Sequence, residues 1–187
     1  MRVEETGLPG CRIVHGDVRH DARGWFLKTF HQPSFADLGL RTDWQEEYVS
    51  LSHRGVVRGM HFQTPPADHA KLVICLAGDV LDVVLDLRRG SPTYGEYRTI
   101  RMSADSGVAV YAPTGVAHGF AALRDDSMMY YKVTSVHAPA NDAGIAWDSF
   151  GCDWPVDTPI VSERDRNHQP LAGFDSPFRF EPAQPTR

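Results

Sequence analysis

Residues 57–78 read VRGMHFQTPPADHAKLVICLAG, two apolar runs parted by a turn that carries Pro, Asp and His. The second run, residues 71–77, leads through Gly78 and Asp79 into another apolar stretch at 80–87. Short runs rich in Val, Ile and Leu, bounded by Gly or Pro, predict β-strands. The Gly78-Asp79 pair between them reads as a hairpin turn. In the stretch 80–87, Leu81, Val83, Leu85 and Leu87 share one face, and Val80, Asp82, Val84 and Asp86 share the other. Acids interleaved in this way predict a face turned to water or to a polar cavity. Taken alone, Asp82 and Asp86 read as turn-facing or solvated acids.

The same signal recurs outward in both directions. Residues 12–18, 24–30, 96–102, 108–111, 119–123 and 127–134 are β-friendly and separated by Gly, Pro, Asp or Ser. Residues 34–40 predict a short helix behind Pro33, capped by Ser34 and ended near Gly39. Many short strands at this spacing predict a β-sandwich or closed barrel. Beyond residue 139 the pattern changes to turns and aromatics, with Trp147, Phe150 and Trp154 expected to pack over the barrel. Residues 1–176 read as one domain, and the Pro-rich stretch 177–187 as a loose tail.

Composition narrows the function classes. With 187 residues the chain is long enough to bury a sizeable core. At 42% hydrophobic and 23% charged it belongs with folded globular chains. A net charge of -5 argues against nucleic acid as a partner. No apolar run reaches the roughly 18 residues of a membrane span, and the opening MRVEETGLPG lacks a signal-peptide pattern. Cys11, Cys75 and Cys152 are widely spaced, with no CxxC, which suits reduced thiols in a cytoplasmic protein.

The titratable residues gather near strand ends. Arg58, His61 and Lys71 surround the first turn, and His118 follows the Pro113-x-Gly115 turn. Pro113-x-Gly115-x-x-His118 resembles the second half of the cupin signature, which implies a mainly β, jelly-roll barrel with short flanking helices. Metal-binding cupins carry His-x-His and then an acid in the first half; here the string is His61-Phe62-Gln63, with Asp68 near the acid position. Gln is a poor substitute for imidazole on a transition metal. The expectation is therefore no metal, although His61, His118 and Asp68 remain as a set to be tested. Histidines released from metal duty are free for proton transfer.

RGMHFQ (58–63), Lys71-Leu72-Val73, DVVLDLRRGSPTYG (82–95), PTGVAHGF (113–120), Tyr131-Lys132 and SERD (162–165), with DARGWF at 21–26, together resemble the dTDP-4-dehydrorhamnose 3,5-epimerase family. The resemblance runs from about residue 10 to about residue 171. It implies epimerisation beside the C4 ketone of a nucleotide-linked 4-keto-6-deoxyhexose, without metal or organic cofactor, in deoxysugar biosynthesis. It also implies a homodimer that exchanges N-terminal strands.

A proton alpha to a ketone is weakly acidic, so its removal needs a placed base and a stabilised enolate. Imidazole suits the first task, which makes His61 the expected base. The resemblance pairs it with Asp165, to hold its tautomer. Lys71 is the expected electrophile at the enolate oxygen. Inversion needs a second acid on the opposite face, and the resemblance puts Tyr131 there. Alternation agrees, since Met129, Tyr131 and Val133 share a face. His118 is expected to line the pocket, with Asp82 orienting it or Lys71. Gln63 is expected at the substrate. Arg23 and Arg58 suit the diphosphate, and Trp25 a stacking partner for the base. Arg23 reads equally as a turn residue paired with Asp21, Trp25 as core and Tyr131 as a core aromatic. The remaining histidines, His69, His137 and His168 among them, read as surface residues.

This sequence departs from the family pattern where the nucleotide is usually read. Lys28 stands where the family has Glu, and Glu46 and Tyr48 replace a Gln-x-Asn pair. Such exchanges reverse donor and acceptor roles. They leave two readings open: a cytidine or guanosine diphosphate sugar, or a swapped Glu46–Lys28 ion pair with thymine recognition intact. Which of C3 and C5 is inverted stays open too. The rival functions are a metal-dependent cupin enzyme and a non-catalytic sugar-binding cupin.

Overall fold

The computed structural model describes residues 1–182. Its first half holds strands β1 (Arg2–Glu5), β2 (Arg12–His15), β3 (Val18–Asp21) and β4 (Gly24–Leu27), helix α1 (Gln32–Asp37), then β5 (Glu46–Ser52), β6 (Val57–Gln63) and β7 (Lys71–Ala77). There follow β8 (Asp79–Asp86), β9 (Tyr97–Ser103), β10 (Val108–Ala112), β11 (Val116–Ala122), β12 (Ser127–Val133), β13 (Asp142–Gly144) and helix α2 (Glu163–Arg166). Two antiparallel sheets face each other, in the orders β1-β2-β10-β7-β12-β5 and β13-β6-β11-β8-β9. The hairpin β3–β4 forms a separate two-stranded sheet.

Alternation on β7 shows how the layers form. Val73 and Cys75 enter the core between the two sheets, with Val84 of β8 and Phe120 of β11. Leu72 and Ile74 point the other way and pack beneath Phe35 of α1. Both faces of β7 are covered, so its sequence is an almost unbroken apolar run. The outer face of the five-stranded sheet is closed by the C-terminal aromatics. Trp154 and Phe178 are buried there, and Trp147 and Phe150 pack against them, as the aromatic composition of that segment predicts.

Four expectations are corrected. The Gly78 turn is no hairpin, because β7 and β8 belong to different sheets. Gly78 lies at φ +79, and a Cβ there would come within 2.7 Å of the Ser127 Cα, so glycine lets the chain turn the corner between sheets. Asp82 and Asp86 are not solvated but 0% exposed. Asp86 accepts a fork from Arg88 at 2.8 Å on each oxygen, together with bonds from Ser91 and Thr93. Helix α1 starts before Ser34: its N-cap is His31, with no side-chain cap bond. Lastly, residues 177–180 are not loose, since Phe178 is buried and Arg89 exchanges backbone bonds with Phe178 and Phe180. Residues 183–187 of that tail lie outside the described residues.

Candidate active site

Inward positions of the strands line a cavity of about 340 Å3. Lys71 shares its parity on β7 with Val73 and Cys75, His118 shares that of Val116 and Phe120 on β11, and Tyr131 that of Met129 on β12. β5 contributes Glu46, Tyr48 and Ser50 to one wall. His61 on β6 lies opposite His118 on β11 in the strand register. The two strands approach closely beside them: a Cβ on Gly59 would stand 2.6 Å from the Gly119 Cα. Glycine at both positions permits that approach and fixes the spacing of the two imidazoles.

Each imidazole has its own carboxylate. His61 Nε2 lies 2.8 Å from Asp165 Oδ1. Asp165 is carried on α2, where the Ser162 hydroxyl caps the helix by accepting the Asp165 N–H at 3.1 Å. The same carboxylate accepts the Gly59 N–H at 3.1 Å and the Arg164 Nε–H at 3.3 Å. Burial opposes ionisation of Asp165, but the His168 and His61 rings with the Gly59 N–H outweigh it and hold the carboxyl well below the usual range. An ionised carboxylate only accepts, so the proton sits on His61 Nε2 and Nδ1 keeps its lone pair. Burial pulls the His61 pKa down, against the opposing effect of Asp165, so the ring is a neutral base at pH 7.

The second pair, His118 Nε2 and Asp82 Oδ2 at 2.6 Å, is almost wholly buried. The other Asp82 oxygen has no hydrogen-bond partner. Lys71 Nζ donates to the His61 carbonyl at 3.1 Å, and burial pushes its pKa down to about 8. The Tyr131 hydroxyl lies 3.2 Å from Ser50 Oγ. Burial raises its pKa, so the phenol holds its proton at pH 7. Its ring stacks on Tyr48 at 4.6 Å and 16°, and meets His118 edge-on at 6.0 Å.

Arg58 lines the same cavity, held by bonds from Nε to the Ser52 hydroxyl and from a terminal nitrogen to the Leu51 carbonyl. Gln63 also lines it, but its amide pins two loops, donating to the Ala67 carbonyl and accepting the Ala138 N–H, both at 2.7 Å. Arg23, Trp25 and Lys28 lie outside the cavity of the single chain. Arg23 is paired with Asp21 at 2.5 Å. Trp25 stands exposed beside Phe26 on the β3–β4 hairpin, and Lys28 borders a separate hollow with Leu27. Glu46 accepts the His137 N–H at 2.6 Å rather than pairing with Lys28.

Asp68 borders another hollow, so a set of His61, His118 and Asp68 is not assembled. Among the described residues, donor atoms suited to a metal gather within 4.8 Å at His61, Asp165 and His168. Two of those three already bond to each other.

Several residues of the site were not expected from sequence. His69 and His137 line the cavity, and His168 packs edge-on against His61 at 5.8 Å, with its Nε2 3.7 Å from Asp165. His69 and His168 are half-buried and so not plain surface histidines, whereas His137 is exposed as expected and borders the cavity from the surface; no local pattern distinguishes them. Arg164 and Asp142, paired at 2.6 Å, also line it. Ser50 was accessible to reasoning, standing two residues from Tyr48 on the same face of β5. The assembled groups offer a neutral imidazole, a buried ammonium and a protonated phenol around one cavity. That set can remove and return a proton on a carbon beside a carbonyl.

Comparison with known proteins gives a consistent result. The family model for dTDP-4-dehydrorhamnose 3,5-epimerase matches residues 5–173. A dTDP-4-dehydrorhamnose 3,5-epimerase of Methanothermobacter thermautotrophicus is 42% identical over 176 residues, covering 91% of this chain and 95% of that protein. The crystal structure of NovW, a 4-keto-6-deoxy sugar epimerase from the novobiocin biosynthetic gene cluster of Streptomyces spheroides, superposes with a TM-score of 0.89 at 39% identity, over 92% of this chain and 88% of that one. ChmJ, a 3'-monoepimerase from Streptomyces bikiniensis solved in complex with dTDP-quinovose, gives a TM-score of 0.84 at 34% identity, over 89% and 86%.

Proposed function

The chain belongs to the dTDP-4-dehydrorhamnose 3,5-epimerase family, a family of carbohydrate epimerases, and from that premise we propose how it works on a dTDP-linked 4-keto-6-deoxyhexose. His61 Nδ1 takes the proton from a carbon beside the C4 ketone, and the Asp165 carboxylate steadies the imidazolium as it forms. Lys71 faces the ketone oxygen as it becomes an enolate. Tyr131 returns a proton to the opposite face, which inverts the centre. His118, held by Asp82, hydrogen-bonds the sugar beside the reacting carbons, and Arg58 takes the diphosphate. The observation that carries this reading is the neutral His61–Asp165 pair sharing one cavity with Lys71 and Tyr131.

The epimerase names of the relatives favour this reading over a metal-dependent cupin or a non-catalytic sugar binder. The dTDP-sugar held by the Streptomyces bikiniensis relative favours thymidine over cytidine or guanosine. The enzyme works as a homodimer in which the exposed hairpin β3–β4 carries Arg23, Trp25 and Lys28 to the nucleotide in the partner's cavity. The aromatics left open on that hairpin support the arrangement. Among the described residues no helix is long and apolar enough to cross a membrane. Three free cysteines suit the cytoplasm.

The test is hydrogen exchange in D2O, followed by NMR, with the dTDP-, CDP- and GDP-linked 4-keto-6-deoxyglucose. Label beside the ketone is expected with the dTDP-sugar. No label from folded protein overturns the reaction, and faster exchange with either other nucleotide overturns the choice of base.

A further inference from the structure

The face of β5 that lines the cavity carries Glu46, Tyr48 and Ser50, and two of these hold a neighbour. Tyr48 is the cross-strand partner of Tyr131 in the β5–β12 register. Their rings lie nearly parallel, 4.6 Å apart and 16° from coplanar. Two residues along the same face, the Ser50 hydroxyl meets the Tyr131 hydroxyl at 3.2 Å. The His118 ring also meets Tyr131 edge-on, at 6.0 Å. Tyr131 is thus touched on its face by one aromatic, on another side by a second, and at its oxygen by a hydroxyl. A tyrosine has two side-chain torsions, and these contacts leave neither free.

A phenol delivers its proton only within hydrogen-bond reach of its oxygen. The substrate class proposed above has two acidic carbons, one on each side of the ketone. A clamped phenol and a sugar anchored through its diphosphate bring the oxygen to one of them and not to both. We propose that Tyr48 is a positioning residue that confines the Tyr131 hydroxyl to one of the two carbons beside the ketone, and so sets which centre is inverted. The inference rests on the epimerase reading. Tyr48 itself stands at the cavity mouth, 39% exposed, so its side chain can be changed without opening the core.

The experiment compares label carried by product of inverted configuration at C3 and C5, resolved by NMR, from dTDP-4-keto-6-deoxyglucose in D2O for wild type, Tyr48→Phe and Tyr48→Ala, with His61→Asn as the base-free control. Wild type is expected to label one carbon at least about tenfold faster than the other. Tyr48→Phe keeps the stacked ring and is expected to keep that ratio. Tyr48→Ala removes the clamp and is expected to bring the ratio within about threefold of unity, while total exchange falls. A loss of stability alone slows both carbons together and leaves the ratio untouched. A ratio unchanged in folded Tyr48→Ala overturns the proposal, as does a ratio already near unity in wild type. Loss of one carbon's label in Tyr48→Phe also overturns it, because that outcome makes the Tyr48 hydroxyl the acid. Absence of label from wild type is a different failure, that of the epimerase reading itself.

Discussion

Two histidine–carboxylate pairs stand across one strand boundary and differ in almost everything but chemistry. His118 and Asp82 sit on adjacent strands of one sheet, 2.6 Å apart and deeply buried, with His118 at the cavity wall. His61 takes its carboxylate from α2, more than a hundred residues along the chain, and its ring keeps a face toward the cavity. The more buried pair has an unpartnered carboxylate oxygen. The open pair has a carboxylate that meets the His61 ring, the Gly59 N–H and the Arg164 Nε–H. In the proposed reaction the more exposed ring is the base and the more buried one a fixed contact for the sugar, and the donors gathered on Asp165 are the difference that favours that assignment.

The largest effect tests this division directly. His61→Asn is expected to lower exchange at the labelled carbon by about 10⁴-fold, and His118→Asn by about 10–100-fold. Single-turnover exchange in D2O reads both, and the reverse order would break the comparison. Next comes the fold. Asp82→Leu leaves a buried imidazole without its partner and is expected to cost about 3–5 kcal/mol in urea unfolding. Asp165→Asn is expected to cost less than half of that while slowing exchange by about 100-fold, because the amide no longer fixes the tautomer of His61.

The smallest effects are in pH. His61 has its pKa lowered by folding, so exchange is expected to hold down to below pH 6.5 and then fall as the ring takes up a proton. On the alkaline side exchange falls as pH rises through about 8, where Lys71 loses its charge, and Lys71→Arg is expected to remove that limb. Stability follows the carboxylate. The Asp165 pKa is depressed in the fold, so its contribution is present above the ordinary carboxylate range and is lost as pH falls below it. Asp165→Asn is expected to flatten stability against pH below about 4, measured by the urea midpoint.

Period-two alternation made much of this legible in the chain. It assigned Tyr131 and Tyr130 to opposite faces, and the structure has Tyr131 in the inner core and Tyr130 against the outer cluster. It also separated Asp82 and Asp86 from the leucines of β8. Alternation says nothing about which sheet a strand joins, so Gly78 read as a hairpin when it is a corner. It is equally silent on whether a polar face meets water or a sealed cavity, and both acids of β8 proved buried. Asp165 reached the site only through the resemblance, since nothing local ties residue 165 to residue 61. His168 had no signal of any kind. Lys28 and Glu46, a possible ion pair by sequence, are separated in the single chain because Lys28 borders a hollow with Leu27 and Ile74 while Glu46 lines the cavity.

The bond from the Lys71 ammonium to the His61 carbonyl has a consequence for tolerance. A machinist would say that the proposed base and the proposed electrophile are dimensioned from one datum, the peptide of residue 61: whatever displaces that peptide carries both residues with it.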